Sequence, residues 1–129
     1  MSMYEHFKTD PQVEKEGVWL DYGDFQVRVA RAGGANKAWQ KTVEKKARPY
    51  RRAIARDSLP KDKQEQILKE SYAEACITGW ETKVDGEMVE GIEPPEGGEL
   101  LSVTPENILA TFEALPELYK DVVEQANSW

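Results

Sequence analysis

The chain has 129 residues and a mass of 14.7 kDa, with 40% apolar and 32% charged side chains and a mean hydropathy of −0.69. That describes one domain, or a domain with arms, and no apolar run approaches the roughly 20 residues that a bilayer helix needs. A single cysteine, Cys76, and a single histidine, His6, exclude an intramolecular disulfide and a zinc site of the usual Cys/His kind, and they argue against a Cys-His or Ser-His catalytic unit.

The formal charge of −7 conceals a segregation. From Arg28 to Lys69 there are 13 Lys/Arg against 4 Asp/Glu, which leaves 4 basic against 20 acidic residues in the rest of the chain. A basic middle between acidic flanks is either neutralised within the molecule or offered to a partner. The opening MSMYEHFKTD lacks the apolar stretch of a secretion signal, which predicts a cytoplasmic protein.

Residues 1–16 mix charge, one proline and few large apolar groups, and read as a flexible N-terminal arm before a single, mainly helical domain over 17–129. Order is expected from Gly17. Val18-Trp19-Leu20 leads into Asp21-Tyr22-Gly23-Asp24, after which Phe25, Val27 and Val29 alternate with polar neighbours, so a β-hairpin is predicted with those three on its apolar face. A lone hairpin is marginal in water and must rest on helices.

Ala32 to Asn36 breaks the second strand, and Asn36 is positioned to cap the helix predicted over Lys37 to Arg56. Trp39, Val43, Ala47, Tyr50 and Ile54 recur at helical spacing on one face of it. Lys37, Lys41, Lys45, Arg48, Arg52 and Arg56 recur two positions earlier, about 200° round at 3.6 residues per turn, so a basic stripe opposes the apolar one. Pro49 predicts a kink near 47–49, because it lacks an N–H and crowds the carbonyl of Lys45.

Ser58-Leu59-Pro60 marks the next start, with Ser58 or Leu59 as cap and Pro60 in the first turn. The helix it opens is expected to reach Gly79, on an apolar line of Leu68, Tyr72, Cys76 and Trp80 widened by Ile67 and Ala75, with Glu65 and Lys69 paired outside. Residues 81–103 then read as an acidic loop rich in glycine and proline, with a small hairpin around Asp85-Gly86 as an option for Val84 to Val89. Thr104-Pro105-Glu106 reopens a helix with Ile108, Leu109 and Phe112 buried, Pro116 interrupts it, and a last amphipathic helix carries Leu118, Tyr119, Val122, Val123 and Ala126. Trp129 falls outside these apolar lines and is expected at the surface. The predicted fold is α+β, mainly α: an N-terminal β-hairpin packed on a small bundle of about four helices, with the acidic loop between the second and third.

Catalytic, cofactor and metal residues do not emerge from this pattern. The Gly33-Gly34 stretch lacks the spacing and the hydroxyl of a phosphate-binding loop and reads as a sharp strand-to-helix turn. Glu70 and Glu74 share a helix face without a histidine and read as solvated surface, and Cys76 reads as a small core residue. No enzyme activity is expected. The basic stripe is the one candidate surface: Lys41, Lys45, Arg48, Arg51, Arg52 and Arg56 would meet a partner protein, or, as the alternative, the phosphate backbone of a nucleic acid in a small regulatory protein. The absence of a reading motif and the acidic remainder of the chain weigh against nucleic acid.

Several pieces, taken in order, carry a resemblance. Gly17 to Phe25 (GVWLDYGDF), Ala30 to Lys37 (ARAGGANK), Arg48-Pro49-Tyr50-Arg51-Arg52, Tyr72-Ala73-Glu74 with Gly79-Trp80-Glu81, and Thr104-Pro105-Glu106-Asn107 leading to Leu115-Pro116-Glu117-Leu118 together resemble the tail assembly chaperones of long-tailed, siphovirus-like bacteriophages. The resemblance spans Phe7 to Ala126, and its 91–101 link is longer and more acidic than is usual there. It implies a non-enzymatic protein without a cofactor that binds the tape-measure protein and helps recruit tail-tube subunits during tail morphogenesis, with self-association an option. It also implies a protein of the host cytoplasm that does not remain in the mature virion.

Overall fold

The computed structural model describes residues 10–129; His6 and residues 1–9 of the arm lie outside the described residues. Order begins earlier than Gly17. Helix α1, Pro11–Glu16, is short but well marked: the Asp10 carboxylate accepts the Gln12 N–H at 2.9 Å, and Pro11 occupies the first helical position, where its missing N–H leaves no orphan. What holds so short a helix is tertiary. Glu14 is only 3% exposed and pairs with Arg31 at 2.5 Å. Gly17 then turns the chain with φ of 96°, in a space where a Cβ would stand 2.6 Å from the carbonyl carbon of Val29.

The predicted hairpin is present as β1, Val18–Asp21, and β2, Phe25–Val29, paired antiparallel from Val18↔Val29 to Asp21↔Gln26. It is, however, half of a larger sheet. The expected second helix stops at Ala75, and the chain continues as β3, Ile77–Val84, and β4, Glu87–Glu90. The four strands form one antiparallel sheet in the order β1-β2-β3-β4. This overturns the fold expected from the sequence, a lone N-terminal hairpin on a helical bundle with an acidic loop over 81–103. Residues 81–90 are strand, and the Asp85-Gly86 hairpin is real, with φ of 50° and 85° as a two-residue type I′ turn requires.

The helices between the central strands form an excursion from the sheet. Helix α2, Lys37–Ala47, a 3-10 turn at Arg48–Tyr50 and helix α3, Arg51–Ala55, run out, and helix α4, Lys61–Ala75, runs back. The interruption falls at Pro49, as its chemistry dictates. Asp57 turns the tip with φ of 52°, and Ser58 closes α3 by donating to the Ala53 carbonyl, leaving Pro60 itself as the cap of α4. At the neck the Ala30 N–H donates to the Cys76 carbonyl at 2.7 Å. Asn36 does not cap α2 with its side chain; its Nδ2 donates to the Arg31 and Ala75 carbonyls at 2.8 and 3.0 Å and so ties both sides of the neck.

Helices α5, Pro105–Ala114, and α6, Pro116–Ala126, follow the sequence expectation, with the Thr104 hydroxyl accepting the Asn107 N–H at 3.2 Å. With α4 they make the layer that covers the sheet. The core joins Val27 and Val29 of β2, Trp80 of β3, Tyr72 and Cys76 of α4, Ile108 and Phe112 of α5, and Val122 and Ala126 of α6. A chain of ring contacts runs through it from Tyr22 by Phe25, Trp80, Phe112, Tyr119 and Tyr72 to Trp39, with centroids 4.5 to 6.5 Å apart. Ile92, 1% exposed, fastens the 91–103 loop to this core, and its backbone bridges to Leu101. Trp129 is half-buried, not at the surface.

Candidate partner-binding surface

The cationic residues singled out in the sequence stand on the outer side of the excursion. Lys41 and Lys45 project from α2, Arg48 opens the 3-10 turn, Arg51 and Arg52 lie in α3 and Arg56 ends it; all six are exposed. Among the described residues, none of the six forms an ion pair, whereas the neighbouring Lys46 pairs with Glu74 at 2.9 Å. Three short pieces, separated at the break around Pro49, carry these cations in place of the one kinked rod expected.

The inner side of the same segment is held weakly. No side chain of α2, the 3-10 turn or α3 is fully buried. The anchor is Trp39, whose ring lies 4.5 Å from that of Tyr72, assisted by Lys63 of α4 over the Tyr50 ring at 5.4 Å. Between α2–α3 and α4 an apolar cleft of about 290 Å³ remains, lined by Val43, Ala47, Ile54, Leu59 and Leu68. Ile54 is 47% and Leu68 42% exposed, so two residues expected in apolar lines reach solvent. An apolar seam beside free cations suits a polypeptide of opposite charge and mixed polarity.

Other residues weighed in the sequence resolve into structural parts. The Gly33-Gly34 turn is filled by the chain itself: the Glu14 carboxylate receives the Ala35 N–H at 3.4 Å and the Arg31 guanidinium. Glu74 is taken by Lys46, and Lys69 lies over the Tyr119 ring at 5.4 Å instead of pairing with Glu65. Cys76 is wholly enclosed, and burial pushes its thiol up to about 12, so it stays protonated and unreactive at neutral pH. Among the described residues, no group of three or more His, Cys, Asp or Glu side chains converges as metal ligands would, and no helix is long and apolar enough to cross a membrane.

Sequence reasoning passed over a second surface. A cleft of about 340 Å³ separates the 93–101 loop from α5 and is lined by Pro95, Leu101, Ala110, Ala114 and Leu115 among others. The signal available was Leu115 itself, a large apolar residue set between two helices at Pro116 and left 50% exposed.

Both surfaces fall within the part of the chain that comparison identifies. The family model described as YdaY prophage protein matches residues 34–129, which leaves out α1 and the β1–β2 hairpin. Neither the comparison with curated proteins nor that with solved structures finds a match.

Proposed function

This chain belongs to the YdaY prophage protein family, and from that premise we propose that it serves tail assembly in a long-tailed phage, as a non-enzymatic chaperone that holds the tape-measure protein and helps recruit tail-tube subunits. The observation that carries the reading is the free cationic face of Lys41, Lys45, Arg48, Arg51, Arg52 and Arg56 on a segment that buries no side chain fully. Such a segment contributes little to the core and can rearrange on a long helical client at small cost. The ordered pieces from GVWLDYGDF to LPEL add the resemblance to tail assembly chaperones. In this reading the protein acts in the host cytoplasm and is absent from the finished virion.

Co-expression with the tape-measure protein of the same phage tests it. The client is expected to become soluble and to co-purify, and the double substitution Lys45→Glu with Arg52→Glu is expected to weaken capture. A client that stays insoluble and never co-purifies would sink the proposal. The same free cations favour one alternative, a nucleic-acid-binding regulator, whose affinity would fall steeply with salt. A gel shift at moderate salt without a complex removes it.

A further inference from the structure

The second apolar cleft lies in the most one-sidedly charged part of the chain. Residues 93–117, which supply both walls of the cleft, hold six acidic side chains, all exposed, and no basic one. Within that stretch the cleft presents two exposed leucines, Leu101 at 37% and Leu115 at 50%, together with Ala110 and Ala114. Those alanines stand one helical turn apart on α5, and small side chains there let a second backbone approach closely. Glu93 lies at the cleft, and Pro95 stiffens the loop that forms one wall. That wall is pinned rather than loose, because Ile92 is buried and exchanges two backbone hydrogen bonds with Leu101, at 2.9 and 2.8 Å.

From this arrangement we infer that the cleft between the 93–101 loop and α5 is a docking groove for a cationic amphipathic segment of a partner protein, with apolar anchors seated against Leu101 and Leu115 and Lys/Arg side chains meeting Glu93 and the exposed carboxylates of the same two segments. The charge selects the occupant: an anionic or uncharged apolar segment would fill the leucine cleft equally well but would meet repulsion or no field from the carboxylates. The groove is separate from the cationic face of α2–α3, so one small domain offers two surfaces of opposite sign. The inference rests on the partner-binding reading above and extends it to a second class of segment.

The probe is a fluorescently labelled peptide of about 18 residues with leucine and lysine at helical spacing, titrated into the full chain by anisotropy, beside a twin carrying glutamate for lysine. The lysine peptide is expected to bind, more weakly as salt rises, and the glutamate twin not at all. Leu115→Ser and Glu93→Lys should each weaken binding, and the pair together by about tenfold or more, as loss of a central anchor does. Glu87→Lys, the same charge change on exposed β4, should leave affinity within about twofold. Circular dichroism checks that each variant is folded, and Ala110→Gln, at an exposed lining position, provides a second way to block the groove. Equal losses from Glu93→Lys and Glu87→Lys with none from Leu115→Ser would mean diffuse charge attraction and would overturn the inference. So would sedimentation showing that the groove variants abolish self-association, since the occupant would then be a second copy of the chain. Because the peptide is synthetic, its failure to bind leaves tape-measure capture standing, and failed capture leaves the groove standing.

Discussion

The two ends of the molecule are built to different standards. At one end, the sheet and helices α4, α5 and α6 enclose Val27, Val29, Phe112 and Val122 completely. At the other, α2, the 3-10 turn and α3 bury no side chain fully, and a proline breaks them midway. A densely packed end supplies stability, because each large side chain there has lost its water, whereas the sparse end keeps its surface for other molecules. The division of labour is thus between a platform and a limb, and it lies within one domain.

The largest loss is expected from removing the residues that precede the family match. A chain of residues 34–129 loses β1 and β2, and with them Val27, Val29 and the strand that pairs β3 from Phe25↔Thr82 to Val29↔Ile77. That truncation is expected to abolish cooperative thermal unfolding in circular dichroism; a sharp transition near that of the full chain would refute the account of the core. Next in size is Phe112→Ala, at a position with no exposure, which should cost roughly 3–5 kcal/mol in urea unfolding. Ile54→Ala on the limb should cost under about 1 kcal/mol, since nearly half of that side chain already meets solvent. Similar costs at the two positions would erase the distinction.

A further effect concerns alkaline pH. Burial raises the Cys76 thiol from 9.0 to about 12 and the Tyr119 phenol from 10.0 to about 12, and burial with the hydrogen bond to Asp121 does the same for Tyr22. A group whose pKa is raised by folding gives its stabilisation in full below the unfolded value and loses it as pH climbs toward the folded one. Urea midpoints are therefore expected to be flat to about pH 9 and to fall between 9 and 12, all three groups belonging to the platform. Cys76→Ala should delay the onset to about pH 10, where tyrosine begins to titrate.

Much of the limb and of α5–α6 was legible in the sequence, because caps and prolines act locally: Pro49, Thr104 and Pro116 each produced the break or start that their chemistry requires. The β3–β4 hairpin was legible only in part. Trp80 follows Leu68, Tyr72 and Cys76 at helical spacing, and the same tryptophan also suits the buried face of a strand beside Thr82, so periodicity alone could not separate the two. Ile77, Thr78, Thr82 and Val84 are β-branched, and their density around Trp80 was the discriminating signal. Leu68 shows the opposite failure: it fits the helical line but lies at 42% exposure, while Ser71 one turn on is enclosed by donating to the Ile67 carbonyl. The exposure of the six cations was readable because a charged side chain on a polar helix face needs no tertiary partner. The cleft beside α5 was not, since it is made by a loop meeting a helix.

The neck at Ala30 and Cys76 has a consequence for the chain while it is being made. Strand β2 leaves the ribosome about fifty residues ahead of β3, its partner, and at roughly 5–20 residues per second that is an interval of several seconds. Through that interval Val27 and Val29 have no helix layer above them and no strand on one side. The nascent hairpin is then the sticky species of this protein, and it stays so until β3 returns to the neck and α5 and α6 close over it with α4.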